Sequence, residues 1–210
     1  MTKTKFTTII LAGGKSSRMG ENKALLTIGG VRVIDRLVNT FSPISEEVIM
    51  IVNQPENYPS LHGVKKLVDK ETFKGDGPLA GIYTGLLAAK TDYCFVVACD
   101  MPFASGVLSQ WLIEECEWGD KDAAIPRHNG RIHPLFGAYH TRISQHICNN
   151  LTAGERKMET LINSIHTRIV ETSDSPAHFQ ANWDNVLWNM NTRSDFERAQ
   201  QLANNKTQGI

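Results

Sequence analysis

The chain of 210 residues has the length of one large domain and the composition of an ordinary globular protein. Hydrophobic residues make up 41% and charged residues 21%, which is enough apolar material for a sizeable core without disulfides. Lysine plus arginine equals aspartate plus glutamate at 22 each, and this zero net charge argues against nucleic acid as a partner. No stretch approaches the ~18 apolar residues of a membrane span. The N-terminus does not resemble a signal peptide, so we expect a cytosolic protein without a membrane partner.

The cysteines and histidines do not have the spacing of a metal centre. The four cysteines include no Cys-x-x-Cys pair, so we expect reduced, buried thiols rather than a disulfide or a zinc site. The seven histidines include no His-Glu-x-x-His motif, which a catalytic zinc helix would carry. We therefore expect most of the histidines at ordinary surface or core positions.

Strand and helix patterns alternate along the chain, which predicts an α/β fold with a mostly parallel central sheet. Short apolar or β-branched runs predict strands at 6–11, 47–52, 64–68, 93–99, 123–126 and 168–171. Helical spacing predicts helices at 31–41, 79–90, 141–151 and 155–165, one from the Ser105 cap to 116, and a last one starting at Thr192. We expect a single domain over 1–210, with a small hairpin insertion near 126–139 and a polar tail at 204–210.

The most informative stretch follows the first predicted strand and runs from Leu11 to Gly20, with Lys23 just beyond it. Gly13 and Gly14 allow the backbone N–H groups to approach a ligand closely. The cations in and beside this stretch are Lys15, Arg18 and Lys23. Backbone dipoles together with positive side chains suit a polyphosphate.

Two common phosphate-binding motifs do not fit this stretch. A P-loop needs Gly-x-x-x-x-Gly-Lys-Ser/Thr, but Gly14 and Gly20 are separated by five residues and Glu21 follows. The Gly-x-Gly-x-x-Gly spacing of a dinucleotide fingerprint is also missing after this strand, which disfavours a redox enzyme. Taken alone, the stretch also fits a glycine-rich turn with solvated charges.

Polar residues follow the later strands where each one ends. Asn53, Asp69 and Asp100 come after the second, third and fourth predicted strands. Because ligands of parallel α/β sheets bind outside the carboxyl ends of the strands, these residues and the glycine stretch point to one nucleotide site. Asp100 is the candidate metal ligand, since Mg²⁺ combines few carboxylates with phosphate oxygens and water. The alternatives are a turn cap at Asp100, a turn former at Asp69 and a strand-end cap at Asn53.

Three residues in the second half of the chain leave two interpretations open. His133 precedes Pro134 in the predicted hairpin, where it could fold over a second substrate. Trp183 and Trp188 could stack on a flat ligand, although we expect them to pack in the core.

With these residues assembled, the chain resembles the molybdenum cofactor guanylyltransferases of the MobA type. The order and spacing of the shared segments extend over nearly the whole chain, and the glycine stretch alone is shared with many other nucleotidyltransferases. The segments are Leu11-Ala12-Gly13-Gly14-x-Ser16-x-Arg18-Met19-Gly20-x-x-Lys23, Gly77-Pro78-Leu79-Ala80-Gly81, Cys99-Asp100-Met101-Pro102, Arg131-x-His133-Pro134, Ala153-Gly154-Glu155-Arg156 and Asn189-Met190-Asn191-Thr192.

The resemblance implies a three-layer Rossmann-like nucleotidyltransferase fold and an enzyme that transfers GMP from GTP to the terminal phosphate of molybdopterin. It implies Mg²⁺ as cofactor, with Asp100 as its ligand, and transient contacts with cofactor-biosynthesis proteins and molybdoenzyme chaperones. Asn189 and Asn191 would lie on the pterin side, with His133 a weaker candidate there. The residues that would contact GTP by matching positions are Leu11, Ala12, Gly13, Lys23, Asn53, Asp69 and Asp100.

Phosphoryl-type transfer needs positioning and charge neutralisation more than covalent chemistry. We therefore expect Arg18, Lys23 and Asp100 to be the catalytic residues, with Gly14 and Lys15 adding to the phosphate contacts. One position departs from the family pattern, because Asn22 stands where an aspartate usually precedes the lysine. A capping or lysine-orienting role survives that change, whereas a charged role does not.

Three alternatives remain at this point. One is a cytidylyltransferase that acts on the same pterin, and a second is a guanylyltransferase with another phosphorylated acceptor. The glycine stretch and Pro78-Leu79-Ala80-Gly81 look like the guanine type, which favours GTP. The third is a non-catalytic nucleotide-binding module, and the presence of Lys23 and Asp100 argues against it.

Overall fold

An eight-stranded, mostly parallel sheet forms the centre of the molecule, seen here in a computed structural model that describes residues 4–13, 22–175, 177 and 183–207. The strands of the described residues are β1 (Phe6–Leu11), β2 (Thr27–Ile28), β3 (Val31–Arg32), β4 (Glu47–Ile51), β5 (Val64–Leu67), β6 (Tyr93–Ala98), β7 (Ala123–His128), β8 (Arg131–Ile132), β9 (Phe136–His140) and β10 (Thr167–Glu171). Their order in the central sheet is β10-β7-β9-β6-β1-β4-β5, and β8 pairs with β7. β9 runs antiparallel to both of its neighbours.

Helices cover both faces of this sheet and give the three layers expected for the fold. They are α1 (Val33–Phe41), α2 (Pro78–Ala88), α3 (Gly106–Trp118), α4 (Ser144–Thr152), α5 (Met158–Ser164), α6 (Trp183–Val186) and α7 (Arg193–Thr207). The fully buried strand β1 contributes to two core clusters, because its side chains alternate between the faces. Phe6 and Ile10 pack in the cluster with α1, α3 and α6. Ile9 and Leu11 pack in the cluster with α2, α4 and α5.

The predicted capping residues occupy the helix starts they were assigned to. The Ser105 side chain accepts a hydrogen bond from the Leu108 N–H at the start of α3. The Thr192 side chain accepts one from the Asp195 N–H, and the Asp195 carboxylate accepts one in return from the Thr192 N–H, which is a capping box. The Asn129-Gly130 pair forms the predicted turn, with φ of 50° and 76° between β7 and β8.

Several predicted boundaries differ from the structure; the helix predicted over 155–165, for example, is Met158–Ser164. The helix expected from residue 31 begins at Val33, because Gly29 and Gly30 adopt φ of 56° and 79° and fold 27–32 into a tight β2–β3 hairpin. The expected polar tail is helical in its first part, since α7 continues to Thr207. Within 126–139, only the β7–β8 turn is a hairpin; the strand that follows, β9, is inserted in the main sheet between β6 and β7.

Within the described ranges, no helix is both long enough and apolar enough to cross a membrane. The four cysteines are all free. Trp183 is buried in the core as expected, and Trp188 stacks on Phe103 with 6.4 Å between ring centroids.

Candidate functional site

The ends of three adjacent strands bring the predicted polar residues to one edge of the sheet. β1 lies between β4 and β6, and all three run in parallel. Backbone hydrogen bonds continue past the strand ends, from the Ala12 N–H to the Ile51 carbonyl at 2.9 Å and from the Cys99 N–H to the Leu11 carbonyl at 3.0 Å. The residues that follow, Gly13 and Asp100 among them, are therefore held by the sheet ladder.

A cavity of about 490 Å³ opens on one side of Gly13 and is called the Asp69 cavity below. Its volume lies within the range of about 300–1,000 Å³ that is typical of small-molecule sites. It is lined by Gly13, Val52, Asn53, Val68, Asp69, Lys74, Gly75, Gly77 and Pro78.

A second cavity, of about 200 Å³, opens on the other side of Gly13 and is called the Asp100 cavity. Gly13 and Pro78 line both cavities, so the two are neighbouring parts of one cleft. The residues around it are Leu11, Ala12, Gly13, Asn22, Lys23, Pro78, Ala98, Cys99, Asp100 and Leu135. The structure thus brings Gly13, Lys23 and Asp100 to one cavity, as the nucleotide-site hypothesis requires.

The Asn53 side chain approaches Gly13 closely where the two cavities meet. A Cβ atom built on Gly13 would lie 2.6 Å from Asn53 Oδ1. Any larger residue would therefore displace the Asn53 amide, which lines the Asp69 cavity. The glycine leaves room for this amide and for a ligand beside the backbone.

The N-terminus of α2 borders both cavities. Gly77 is its N-cap, with φ of 79° and ψ of −162°, a conformation open essentially only to glycine. Pro78 follows at the first helical position, which suits a residue without an N–H. The free N–H groups and the positive end of the helix dipole favour an anionic ligand beside Pro78.

Asp69 is a partly buried carboxylate that lines the Asp69 cavity. Burial raises the pKa of Asp69 above its ordinary value, and the Gly75 N–H opposes this shift. Asp69 Oδ1 is buried and has no hydrogen-bond partner among the described residues. An orphaned buried acceptor is costly in the free protein, so this oxygen is suited to accept a hydrogen bond from a ligand.

Asp100 is held more tightly than Asp69. Burial raises its pKa, and a hydrogen bond from Asn189 and the charge of Lys23 oppose the shift. Asn189 Nδ2 donates to Asp100 Oδ1 at 3.0 Å. Burial also raises the pKa of the neighbouring Cys99 thiol to about 12, so this cysteine is not a nucleophile at neutral pH.

Asn22, the departure from the family pattern, caps the short turn that carries Lys23. Its Oδ1 accepts a hydrogen bond from the Ala24 N–H at 3.1 Å. The amide thus serves the capping role that needs no charge.

Of the remaining predicted site residues, the two asparagines contact residues that line the Asp100 cavity, whereas His133 lines neither cavity. Lys23 Nζ donates to Asn191 Oδ1 at 2.7 Å, so both predicted asparagines contact charged residues of the Asp100 cavity. His133 lines neither cavity, and burial lowers its pKa to about 4, which keeps the imidazole neutral at pH 7. Gly14, Lys15 and Arg18 lie outside the described residues.

Sequence reasoning missed several residues of the cleft. Lys74 and Gly75 belong to the polar, glycine-rich loop before Gly77, and that composition was a usable signal. Tyr58, whose hydroxyl donates to the Ala12 carbonyl at 2.6 Å, fixes the backbone next to Gly13. Neither Tyr58 nor Leu135 carries a local signal, because each reaches the site from a distant part of the chain.

A family model described as the MobA-like NTP transferase domain matches residues 8–169, which include both cavities. This chain belongs to that family. A probable molybdenum cofactor guanylyltransferase of Carboxydothermus hydrogenoformans is 34% identical over 196 residues, which are 91% of this chain and 93% of that protein. One from Bacillus anthracis is 33% identical over 205 residues, which are 97% of this chain and 100% of that protein.

Solved structures show the same nucleotidyltransferase fold. Molybdopterin-guanine dinucleotide biosynthesis protein A of Archaeoglobus fulgidus matches with a TM-score of 0.79 at 22% identity, over 95% of this chain and 100% of that chain. The 2-C-methyl-D-erythritol 4-phosphate cytidylyltransferase of Thermus thermophilus matches with a TM-score of 0.70 at 18% identity, over 96% and 100%. The MobA-like family makes this protein a nucleotidyltransferase and indicates a divalent metal at its site.

The donor set of the cleft fits a metal that is bound largely by substrate. No group of three or more His, Cys, Asp or Glu side chains among the described residues could hold a metal ion on its own. Mg²⁺ is commonly held by one or two carboxylates plus substrate phosphates and water. Asp100, half-buried and close enough to Lys23 for its charge to lower the Asp100 pKa, can supply such a carboxylate.

Proposed function

We propose that this protein transfers GMP from GTP to the terminal phosphate of molybdopterin, forming the molybdopterin guanine dinucleotide cofactor and pyrophosphate. The observation that carries the proposal is the pair of cavities that meet at Gly13 and Pro78. One holds an orphaned carboxylate oxygen suited to a base, and the other holds a carboxylate and an ammonium group suited to a metal-bound phosphate. The names of the relatives from Carboxydothermus hydrogenoformans and Bacillus anthracis support the guanine nucleotide and the acceptor.

The guanine base would occupy the Asp69 cavity. Its adjacent ring N–H and exocyclic amino groups are hydrogen-bond donors, which complement the unpartnered oxygen of Asp69. Cytosine offers a single amino donor beside ring acceptors, so a carboxylate favours guanine over cytosine at this position. Asn53, beside Gly13, would add an amide contact to the nucleotide.

The triphosphate would lie across Gly13 and Pro78 into the Asp100 cavity. Leu11, Ala12 and Gly13 provide backbone along this path, and the N-terminus of α2 favours the negative charge. Lys23 would neutralise charge at the α-phosphate and on the leaving pyrophosphate. Lys15, Arg18 and Gly14 are proposed to act on the same phosphates.

Asp100 would hold the Mg²⁺ ion. When bound, the ion would supply charge neutralisation at the phosphate oxygens. The protein must then keep the Asp100 carboxylate ionised, and both the hydrogen bond from Asn189 and the charge of Lys23 lower its pKa against the effect of burial.

The acceptor phosphate is already ionised, so the transfer requires no strong general base. An acceptor phosphate oxygen forms a bond to the α-phosphorus while the bond to the pyrophosphate oxygen breaks, and the leaving group carries the electron pair. We expect no covalent enzyme intermediate and therefore inversion at a chiral α-thiophosphate. Asn189, Asn191 and, more weakly, His133 remain candidates for the pterin side.

Pyrophosphate release tests the proposal directly. With GTP, Mg²⁺ and molybdopterin present, we expect release that stops when any of the three is omitted, and competition by GTP far stronger than by CTP, ATP or UTP. Release with CTP but not GTP would indicate a cytidylyltransferase. Nucleotide binding without release in any combination would indicate a non-catalytic module.

A further inference from the structure

The segment from Asn189 to Asn191, between α6 and α7, is fixed against the end of β6. The Met190 N–H donates to the Asp100 carbonyl at 2.7 Å, and the Met190 side chain is fully buried. On the other side, the N–H groups of Asn191 and Thr192 donate to Asp195 Oδ2 at 2.8 and 2.7 Å. The backbone of this segment is therefore held from both ends.

The two asparagine side chains on either side of Met190 contact two charged residues of the Asp100 cavity. Asn189 Nδ2 donates to Asp100 Oδ1 at 3.0 Å, and Lys23 Nζ donates to Asn191 Oδ1 at 2.7 Å. The direction of each bond is set by chemistry, because an ionised carboxylate only accepts and an ammonium group only donates.

Each contact restricts a group that would otherwise be free to turn. Asp100 lies two residues beyond the end of β6, and the hydrogen bond from Asn189 engages its Oδ1 atom. Lys23 carries its charge on a flexible four-carbon stem, and its contact with Asn191 fixes the far end of that stem. Preorganised charges do not have to be ordered when the nucleotide binds.

We propose that Asn189 and Asn191 are positioning residues of the nucleotide half of the site, with Asn189 orienting Asp100 and Asn191 orienting Lys23. This inference rests on the proposed function. It departs from the assignment by resemblance, which puts both asparagines beside the acceptor. The contacts link residues 89 and 168 positions apart in the chain.

Equilibrium binding of GTP with Mg²⁺, measured without any acceptor, separates the two roles. Asn191→Ala is expected to weaken GTP binding about fivefold, because the flexible Lys23 side chain must then be ordered when the nucleotide binds. Asn189→Ala is expected to raise the Mg²⁺ concentration needed for half-maximal GTP binding about tenfold, as is typical when a metal ligand loses its supporting partner. Asn185→Ala is the matched control, since Asn185 lies in α6 of the same region and has no hydrogen bond to Asp100 or Lys23 within the described ranges.

Double-mutant cycles then test whether each asparagine acts through its partner. In a Lys23→Ala background, Asn191→Ala is expected to cause no further loss of GTP affinity. In an Asp100→Ala background, Asn189→Ala is expected to leave the Mg²⁺ dependence unchanged. Thermal unfolding of every variant checks that the fold is retained.

The outcomes are distinct. Wild-type affinity in both single variants would overturn the inference and return the asparagines to the acceptor side. If the effects of an asparagine substitution and of its partner's substitution on GTP affinity or Mg²⁺ dependence simply add in the double variant, the inference would also be overturned. The substitutions would then act by disturbing the segment from Asn189 to Asn191 as a whole. Failure of the unmutated protein to bind GTP with Mg²⁺ would instead contradict the proposed function.

Discussion

Replacing Asp69 by Asn is expected to stabilise the free protein and weaken GTP binding at the same time. Asp69 Oδ1 is buried without a hydrogen-bond partner among the described residues, and burial raises the pKa of this carboxyl. A carboxyl whose pKa is raised in the folded state is less stable there, when ionised, than in the unfolded chain. The charge therefore lowers the free energy of unfolding at pH 7.

The size of the stability effect follows from the loss of that charge. An unsatisfied buried polar group lowers the free energy of unfolding by about 1–3 kcal/mol. The asparagine amide is also polar and leaves part of this penalty in place, so we expect the free energy of unfolding to rise by about 1 kcal/mol at pH 7. That gain corresponds to a rise of about 2–4 °C in Tm for a chain of this size. The gain disappears as the pH falls through the raised pKa of Asp69, because the carboxyl is then neutral as well.

The binding effect has the opposite sign. Hydrogen bonds from the base to a charged acceptor are worth about 1.5–3 kcal/mol, which corresponds to a loss of about 10- to 150-fold in GTP affinity. The asparagine amino group would also face the donors of guanine.

The assay compares Kd values for GTP, ITP and 2′-deoxy-GTP, together with urea unfolding at pH 7. Inosine lacks the exocyclic amino group of guanine, so the preference for GTP over ITP should shrink in Asp69→Asn. Asp92→Asn serves as the control, because Asp92 is exposed and precedes β6 at the opposite edge of the sheet. An unchanged Kd for GTP would refute base recognition by Asp69. If the variant loses only its preference for GTP over 2′-deoxy-GTP and keeps its preference for GTP over ITP, Asp69 binds the ribose rather than the base.

Three further changes probe other parts of the cleft. Asp100→Ala should remove most turnover, roughly 3 kcal/mol or more of transition-state stabilisation, while the fold is retained; near-normal pyrophosphate release would place the metal elsewhere. Gly13→Ala should weaken GTP binding about tenfold by displacing Asn53, whose Oδ1 lies 2.6 Å from the new Cβ position, and equal affinity in a titration would contradict that reason. Arg156 makes a bidentate contact with Asp76, which lies in the loop before α2. Its Nε donates to Asp76 Oδ1 at 2.7 Å and its Nη2 donates to Asp76 Oδ2 at 3.1 Å. Arg156→Lys should weaken GTP binding slightly, because lysine cannot form this bidentate contact and the loop beside the Asp69 cavity is then less well held. Unchanged GTP affinity would show that this contact is not needed to position the loop.

Local chemistry made much of the fold predictable. The β-branched and apolar runs of β1, β4 and β6 are buried on both faces, which is why they read clearly as parallel strands. The caps at Ser105 and Thr192 depend only on residues within one turn of each helix. The sequence does not predict the β2–β3 hairpin, because the helical spacing of α1 extends by chance to Val31 and indicates a helix there instead.

The sequence by itself determined the main residues of the site, since polar residues at the ends of parallel strands must meet at one edge. Asn53, Asp69 and Asp100 follow from that rule. Only the tertiary structure decided that Asp69 and Asp100 line different cavities, and that Gly13 and Pro78 line both. Local patterns do not specify strand order or the path of the chain after β10, and these bring Asn189 and Asn191 to Asp100 and Lys23.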